Sequence, residues 1–248
     1  MIKKRTLVVG DIHSGVKALE QLLVRAEVRV NDQLVFLGDY VDGWSTAVET
    51  IDFLLKLNET HKCIFIRGNH DELCYDWLSK GKDNPTWHKH GGEATKASYS
   101  NATSETIEKH LQFYKNLENY YIDQSNRLFL HAGFTNLKGV EYEYFKKTFY
   151  WDRTLWELVQ SLNPELTPDD SRYPMRLKHY REIYIGHTPI SKTKAEIVPG
   201  NEANVWNLDT GAAFKGPLSM MDIDTKEFWQ SDSVQSLYPN EPGRNQNR

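Results

Sequence analysis

The sequence predicts an α/β fold whose strands are short and buried. Short apolar runs recur along the 248 residues, and several are rich in β-branched or aromatic side chains. The first five runs stop at or near a glycine, which is typical of buried strands rather than helices. Apolar residues at helical spacing separate the first three runs. The opening third therefore has the β-α-β-α-β order of parallel crossover units.

The predicted elements can be placed in order along the chain. Strands are expected at residues 6–10, 33–38, 63–68, 127–133, 182–186, 204–208 and 218–223. Between the first three strands, apolar residues follow a helical period over 16–26 and 47–55. Successive strands start about 30 residues apart there, which is the length that a crossover unit needs.

The remaining segments differ in composition. Residues 72–118 are polar, aromatic and helix-prone, so we expect a mostly helical insertion there, and residues 161–174 are expected to form a loop region. The ten residues that follow Tyr238 include no apolar side chain, and this tail, 239–248, is predicted to be disordered. With a prior of about 150 residues per domain, we expect residues 1–238 to form a single domain.

The composition excludes several classes of protein. There are 30 basic and 34 acidic side chains, a formal charge of −4, so the basic excess of a general nucleic-acid binder is missing. The apolar runs are too short to span a bilayer, and the start of the chain lacks the apolar segment of a secretory signal. Two cysteines, Cys63 and Cys74, cannot make a disulfide framework. We therefore expect a cytoplasmic enzyme or binding protein that engages neither nucleic acid nor a membrane.

Polar side chains cluster where five of the predicted strands end. Because ligands of open α/β sheets bind beyond the carboxyl ends of the strands, these side chains are expected to converge. In chain order they are Asp11, His13, Asp39, Asp42, Asn69, His70, Asp71, His131 and His187. Carboxylates suit Mn²⁺ and Mg²⁺, and imidazoles extend the range to Fe and Zn. Neither cysteine lies at a strand end, so the pattern indicates a pair of divalent ions rather than a thiolate site.

These motifs resemble those of the calcineurin-like metallophosphoesterase superfamily, and most closely the bacterial phosphoprotein (serine/threonine) phosphatases. The motifs are GDIHS at 10–14, GDYVD at 38–42, GNHD at 68–71, HAG at 131–133 and GHTP at 186–189. The stretches GGEATKASY at 91–99 and LDTGA at 208–212 are also similar to segments of bacterial members. The resemblance implies a four-layer α/β/β/α sandwich of two mixed sheets, in which the helical insertion covers one side of the site.

The resemblance also implies a set of metal ligands. The first ion would be held by Asp11, His13 and Asp39. The second would be held by Asp39, Asn69, His131 and His187, so that Asp39 bridges the two ions together with a hydroxide that attacks phosphorus. Mn²⁺ is the favoured ion, with Fe, Zn, Mg or Ni as alternatives.

The same resemblance assigns the other catalytic roles. His70 would protonate the leaving alkoxide, and Asp42 would orient His70. Arg153 and Asn69 would contact the substrate phosphate. From its position alone, Asp42 could instead cap a helix that begins near Trp44.

One departure from the family pattern concerns Gly43. The family usually has an arginine at this position that clamps the substrate phosphate, so a bidentate phosphate donor is missing from its usual place. Either Arg153 acts alone, or another residue reaches in; the candidates are Lys89, Arg176 and Arg181.

Three further residues have more than one interpretation. His88 and His90 are candidates for lining the substrate cleft, although solvent exposure is the simpler interpretation of each. Asp209 is expected to form a turn rather than to act in the site.

The expected function is hydrolysis of a phosphomonoester, with phosphoserine or phosphothreonine in proteins as the first choice of substrate. The main alternative is hydrolysis of dinucleoside polyphosphates such as diadenosine tetraphosphate, because Gly43 departs from the protein-phosphatase pattern and the insertion is aromatic. A non-catalytic binding module is the third possibility, and it predicts a loss of ligand residues that the sequence does not show. The expected partner is accordingly a phosphorylated protein or a small phosphorylated molecule.

Overall fold

The computed structural model describes residues 4–192, 194 and 198–245, and its strands form two five-stranded mixed sheets. From edge to edge, the strands of the first sheet are β10 (Phe228–Ser233), β9 (Pro217–Asp222), β1 (Thr6–Val9), β2 (Gln33–Phe36) and β3 (Lys62–Phe65). β1, β2 and β3 are parallel, whereas β9 pairs antiparallel with both β1 and β10. The β-α-β-α-β order predicted for the opening third is therefore present in this sheet.

The second sheet has the same mixed character. From edge to edge its strands are β4 (Tyr120–Ile122), β5 (Arg127–Leu130), β6 (Glu182–Ile185), β8 (Val205–Asn207) and β7 (Gly200–Glu202). The three central strands are parallel, and each edge strand pairs antiparallel with its neighbour.

Helices cover the outer face of each sheet. Those on the side of the first sheet are α1 (Val16–Arg25), α2 (Ala47–Thr60), α3 (Asn69–Lys80), α4 (Pro85–Trp87), α5 (Glu93–Tyr99), α6 (Ser104–Lys115) and α10 (Val234–Leu237). Those on the side of the second sheet are α7 (Thr148–Trp151), α8 (Thr154–Gln160) and α9 (Met175–Lys178). A kinked segment, His88–Gly92, whose backbone is non-helical at His90 and Gly91, joins α4 to α5, and a short 3-10 turn spans Val140–Tyr142. Among the helices that the structure describes, none is both long and apolar enough to cross a membrane.

Three apolar clusters hold the four layers together. The cluster between the sheets takes side chains from both, and the rings of Phe129 and Tyr184 stack there with their centroids 4.9 Å apart. A second cluster buries the apolar stripe of α1, including Leu19 and Leu22, against the first sheet. The third buries Trp156 and its neighbours against the second sheet. Each fully buried aliphatic side chain contributes about 1.5–3 kcal/mol, so these clusters position the two sheets relative to each other. The α/β/β/α sandwich that the resemblance implies is thus confirmed.

Three strands were not predicted from the sequence, and all three lie at sheet edges. β4, β7 and β10 each pair with a neighbour on one side only. An edge strand stays partly exposed, so it has no need of a continuous apolar run. The other seven strands coincide with the seven predicted apolar runs.

In the structure, residues 239–245 of the tail that was predicted to be disordered pack against the domain. The ring of Tyr238 stacks on Trp44 with centroids 5.4 Å apart, and just beyond it the carboxylate of Glu241 accepts hydrogen bonds from Ser45 N (2.8 Å) and Ser45 Oγ (2.7 Å). These polar and ring contacts hold a segment that contains no apolar side chain, so its hydropathy could not reveal them. The last three residues of the chain lie outside the described part.

Candidate metal centre and substrate cavity

The site lies where the carboxyl ends of strands from both sheets meet. Asp11 and Asp39 follow β1 and β2 in the first sheet, while His131 and His187 follow β5 and β6 in the second. All four residues are buried. The polar clusters at the strand ends therefore converge between the sheets.

Asp39 lies at the centre of the cluster. Its Oδ2 is 3.6 Å from Nε2 of His13, and its Oδ1 is 3.4 Å from Nε2 of His131. The backbone N–H of His70 also donates to Oδ1, at 3.0 Å. One carboxylate thus faces histidines from both sheets, which is the geometry that a bridging ligand requires.

Asn69 connects the two histidines of the second sheet. Its Oδ1 is 2.9 Å from Nδ1 of His187 and 3.2 Å from Nε2 of His131. Ligand atoms of Asp39, His131 and His187 all lie within 4.8 Å of one another, and the same holds for a second group that consists of His13, Asp39 and His70. The second group places His70 beside the ligands predicted for the first ion.

Two buried atoms in the cluster lack the partner that burial demands. Oδ2 of Asp11 accepts the N–H of His187 at 3.0 Å and is 3.9 Å from Nε2 of His13. Oδ1 of Asp11 and Nε2 of His187 are buried and have no hydrogen-bond partner among the residues that the structure describes. An unsatisfied buried polar atom is costly, and a cation would satisfy both. Two carboxylates, three imidazoles and an amide oxygen therefore fit a pair of borderline-to-hard divalent ions.

Burial and mutual charge set the protonation of these groups. Burial disfavours charge on Asp39, but the imidazoles that face it, His131 foremost, outweigh burial and hold the pKa of the Asp39 carboxyl well below its ordinary range. Burial also disfavours charge on His131, but Asp39 and Asp11 outweigh it and raise the pKa of His131 to about 10. Burial lowers the pKa of His13 and of His187 well below the ordinary value, so these two rings are neutral bases.

Unusual backbone geometry aims the side chains into the cluster. His13, Asp39, Asp42 and His187 have φ values of 51°, 52°, 71° and 66°, a region that residues other than glycine seldom adopt. A Cβ on Gly186 would overlap Oδ1 of Asp11, so glycine is required where the two motifs approach each other.

Asp42 holds His70 in one orientation. Nδ1 of His70 is 2.6 Å from Oδ2 of Asp42. The same carboxylate accepts the indole N–H of Trp87 and the hydroxyl of Thr95, both of which come from the helical insertion. Asp42 does not cap a helix: α2 begins at Ala47, and Thr46 is its N-cap.

Asp71 is a buried carboxylate whose contacts the sequence did not reveal. Its Oδ2 accepts the N–H groups of Gly68 (2.7 Å) and Asp39 (2.8 Å), and its Oδ1 accepts the N–H of Tyr40 (2.9 Å). Burial and the nearby Asp39 raise the pKa of Asp71 to about 7. Asp71 thereby ties the loop after β2 to the start of α3.

A cavity of about 200 Å³ opens beside the cluster. Its lining includes the cationic residues Arg153, Lys192 and Arg244 and the aromatic residues Trp87, Trp151 and Phe214. Nη1 of Arg153 donates to Oγ1 of Thr188 at 3.1 Å, which holds this predicted phosphate ligand at the cavity wall.

The other cations that the sequence suggested lie elsewhere. Nη1 of Arg176 donates to the carbonyl of Phe134 at 2.7 Å, and neither Arg176 nor Arg181 lines the cavity; the same is true of Lys89. Lys192 and Arg244, which the sequence analysis did not name, line the cavity together with Arg153.

The structure also distinguishes between the interpretations of His88, His90 and Asp209. His90 lines the cavity, whereas Nε2 of His88 pairs with Asp83. Asp209 forms the predicted turn, because its Oδ1 accepts the N–H of Gly211 at 3.0 Å, and it also lines the cavity, where burial raises its pKa to about 6.

A four-layer sandwich with this donor set between its sheets has the architecture of a metallophosphoesterase. The calcineurin-like phosphoesterase family matches residues 4–208, and the chain belongs to that family. A bis(5'-nucleosyl)-tetraphosphatase PrpE [asymmetrical] of Oceanobacillus iheyensis is 26% identical over 241 residues, which cover 89% of each chain. A serine/threonine-protein phosphatase PP2A-like PPG1 of Candida albicans is 41% identical, but over only 66 residues, 26% of this chain and 16% of its own.

The fold has a close structural counterpart. The crystal structure of a protein provisionally assigned as a diadenosine tetraphosphatase superposes with a TM-score of 0.63 at 18% identity and covers 94% of this chain and 95% of its own. At this level of identity the likeness concerns the fold.

Proposed function

We propose that this chain hydrolyses phosphoanhydride bonds in dinucleoside polyphosphates of the diadenosine tetraphosphate type. The observation that carries the proposal is the cavity wall, which combines three cationic side chains with aromatic rings beside the ligand cluster. Each phosphate of a polyphosphate chain adds negative charge that needs a cation, and a nucleobase needs an aromatic surface on which to stack.

The shape of the cavity is consistent with this class of substrate. Its volume is small beside the roughly 300–1,000 Å³ of a pocket that encloses a drug-sized ligand. A dinucleotide would therefore place its reacting phosphate inside and extend past the rim, where Trp151 leaves 45% of its surface exposed. An exposed tryptophan next to a polyphosphate site is suited to stacking on a base.

The curated relatives also favour this substrate over a phosphoprotein. The Oceanobacillus protein that matches along nearly the whole chain is named for cleavage of a bis-nucleosyl tetraphosphate. The match to a protein phosphatase is confined to about a quarter of the chain. The alternative drawn from the sequence is thus better supported than the first choice, a protein serine/threonine phosphatase.

Within the proposed reaction the side chains divide the work. Ions at the cluster, for which we propose Mn²⁺, would supply charge for the phosphoryl oxygens and a nucleophile that is active near neutral pH. The Nδ1–H of His70 donates a hydrogen bond to Asp42, so Nε2 is the atom that, when protonated, can pass a proton to the leaving oxygen. Arg153 binds phosphate oxygens through the N–H groups that its contact with Thr188 leaves available.

The test is a comparison of substrates with the Mn²⁺-loaded, full-length protein. We expect kcat/KM for diadenosine tetraphosphate to exceed that for a phosphothreonine peptide by at least about tenfold, with ATP and AMP or two ADP as products resolved by ion-exchange chromatography. A higher kcat/KM for the peptide would restore the protein-phosphatase assignment and overturn the proposal.

A pair of variants tests the stacking surface. Trp151→Ala should raise KM for diadenosine tetraphosphate several-fold and leave KM for p-nitrophenyl phosphate nearly unchanged, because base stacking contributes about 1–3 kcal/mol. Tyr144→Ala is the matched control, since this aromatic side chain is 84% exposed and does not line the cavity. Equal effects of Trp151→Ala on both substrates would remove Trp151 from substrate recognition.

A further inference from the structure

The side chain of Arg244 lines the cavity, and its buried Nε has no hydrogen-bond acceptor within the part of the chain that the structure describes. The side chain lines the same cavity as Asp39, His70 and Arg153. A guanidinium stays charged in proteins and offers donors in a planar fork that matches phosphate oxygens. A phosphate oxygen in this cavity would supply the acceptor that the buried Nε lacks among the described residues.

The backbone and the neighbouring ring hold Arg244 in this place. Its N–H donates to the carbonyl of Ala213 at 2.9 Å, and its guanidinium carbon lies 5.3 Å from the centre of the Phe214 ring. The contacts of Glu241 with Ser45 and of Tyr238 with Trp44 fasten the segment that leads to it. Fixed attachments reduce the entropy that a flexible arginine would lose on binding an anion.

The C-terminal segment 239–245 packs against the turn that follows Asp42. Gly43 has φ 128°, and a Cβ there would lie 3.7 Å from Cγ of Arg244 and 3.2 Å from the carbonyl oxygen of His13. A long side chain at position 43 would therefore compete with Arg244 for space. The next residue, Trp44, packs so closely on Gly243 that a Cβ on that glycine would overlap its ring.

We propose that Arg244 is a phosphate-binding residue of this site, delivered by the C-terminal segment 239–245 into space that Gly43 leaves free. With Arg153 on the side of the second sheet and Arg244 on the side of the first, a phosphoryl group in the cavity meets a guanidinium from each side. The ligand class is a phosphate or polyphosphate anion. The proposal rests on the proposed function only in that the cavity takes phosphate; it does not depend on which phosphate compound is cleaved.

A competing explanation makes Arg244 a counter-ion of the acidic cluster. The carboxylates of Asp39, Asp42, Asp209 and Asp11 all act favourably on its charge. If that were its whole role, removing it would strengthen metal binding, since a repelling cation would be gone, and would leave phosphate affinity unchanged. The two explanations therefore differ in which ligand responds.

The experiment measures inorganic phosphate in two ways on the full-length, Mn²⁺-loaded protein. Isothermal titration gives the Kd of phosphate directly, and inhibition of p-nitrophenyl phosphate hydrolysis gives its Ki. We expect Arg244→Ala to raise both by about tenfold or more, which is the value of a charge-assisted hydrogen bond. Arg244→Lys keeps the charge and loses the planar fork, so its Kd and Ki should fall between those of the wild type and of Arg244→Ala. Added guanidinium at a non-denaturing concentration should partly restore the phosphate affinity of Arg244→Ala. Manganese content and Tm should be unchanged in both variants.

The controls separate the possible outcomes. Arg172→Ala removes an exposed arginine that pairs with Asp170 outside the cavity, and it should change neither constant. Glu241→Ala keeps Arg244 but loosens the segment, and we expect a smaller rise in both constants. Phosphate constants within twofold of wild type in metal-loaded Arg244→Ala, or a rise that disappears when manganese occupancy is matched, would overturn the proposal. Failure to cleave diadenosine tetraphosphate would overturn the proposed function and leave this result intact.

Discussion

At the scale of single residues, Asp42 shows how the site controls one proton. Its carboxylate accepts hydrogen bonds from His70, Trp87 and Thr95, and its own N–H donates to Thr95 at 3.0 Å. A carboxylate with this many donors is held rigidly and stabilised as an anion. His70 must therefore present the nitrogen that does not face Asp42 to the cavity.

His70→Asn separates the two roles that the geometry allows for His70. Since it is a general acid in the proposed reaction, kcat should fall by about 10²–10⁴-fold with an alkyl phosphate, which has a poor leaving group. The fall should be smaller with diadenosine tetraphosphate, because a nucleotide leaves more easily. Manganese content, measured by inductively coupled plasma mass spectrometry, should stay at the wild-type level.

The control for this variant is Asp39→Asn, which should lose manganese because Asp39 lies between both groups of ligand atoms. Loss of manganese from His70→Asn as well would show that His70 is a ligand. An unchanged kcat would exclude His70 from proton transfer.

At the scale of elements, side-chain hydrogen bonds between loops hold the ends of the strands in place. Asp71 lies in the first turn of α3, and its carboxylate accepts hydrogen bonds from backbone N–H groups that lead into or belong to the site. Arg5 performs a similar task away from the site: its Nη2 is 2.6 Å from Oδ2 of Asp32, and the pair joins β1 to the turn before β2. Asp71 is buried and the Arg5–Asp32 pair is partly buried, so removal of one partner should cost more than breaking an exposed pair.

Asp71→Asn should weaken the site through the backbone. An amide nitrogen cannot accept hydrogen bonds, so at least one of the N–H groups of Gly68, Asp39 and Tyr40 would lose its acceptor. We expect the free energy of unfolding to fall by about 1–3 kcal/mol and the affinity for Mn²⁺ to drop, as measured by urea denaturation and metal titration. The control is Asp76→Asn, a surface carboxylate of the same helix that pairs with Lys80 and Lys82. Equal effects of the two variants would contradict this role for Asp71.

The Arg5–Asp32 pair should give stability a defined pH dependence. Burial disfavours the charge on Asp32, but Arg5 outweighs it and lowers the pKa of Asp32 below its ordinary value of about 3.9. The stabilisation is therefore complete above roughly pH 5 and is lost as the pH falls through the lower pKa of the folded state.

Asp32→Asn should lower the free energy of unfolding by about 1–3 kcal/mol at pH 7. The gap between variant and wild type should narrow as the pH falls below about 4. Urea denaturation at several pH values measures this gap, and other titrating groups cancel in the difference. Asp232→Asn, which breaks the more exposed pair with Arg25, should cost less at every pH. A gap that stayed constant down to pH 3 would refute the pKa assignment.

At the scale of the whole molecule, the site joins the two sheets. Asp11, His13, Asp39 and Asn69 belong to the side of the first sheet, and His131 and His187 to that of the second. Cations bound here would link the two halves of the sandwich and offset the two buried carboxylates. Binding to the folded state alone also stabilises it by mass action.

Removal of the ions by a chelator should therefore lower Tm. At a free ion concentration of about 100 times Kd, a single bound ion contributes about 2.7 kcal/mol, which corresponds to roughly 5–10 °C in a chain of this size. Differential scanning calorimetry with and without EDTA measures the change. Asp39→Asn should show a much smaller change. An identical Tm for the wild type after complete loss of metal would show that the sheets hold together without the ions.

Most of the candidate site could be predicted from the sequence, because its residues follow strands that are recognisable as apolar runs. Asp11, Asp39 and His187 each lie just beyond such a run, and parallel strands bring their carboxyl ends together. Asp71 and Trp87 could not be assigned partners, since a hydrogen bond to a backbone group in another loop has no periodicity. Three of the four edge strands, β4, β7 and β10, were missed because pairing on one side does not require a continuous apolar run.

By itself the sequence determined the fold class and which polar residues would meet. The spacing of apolar side chains is a local pattern that predicts which segments are buried strands. The site residues lie at the ends of these strands. Only the tertiary structure decided which cation occupies the space beside Gly43. Arg244 reaches that space through ring stacking and hydrogen bonds between segments far apart in the chain. Such contacts depend on the positions of both partners after folding, and a polar tail gives no sign of them beforehand.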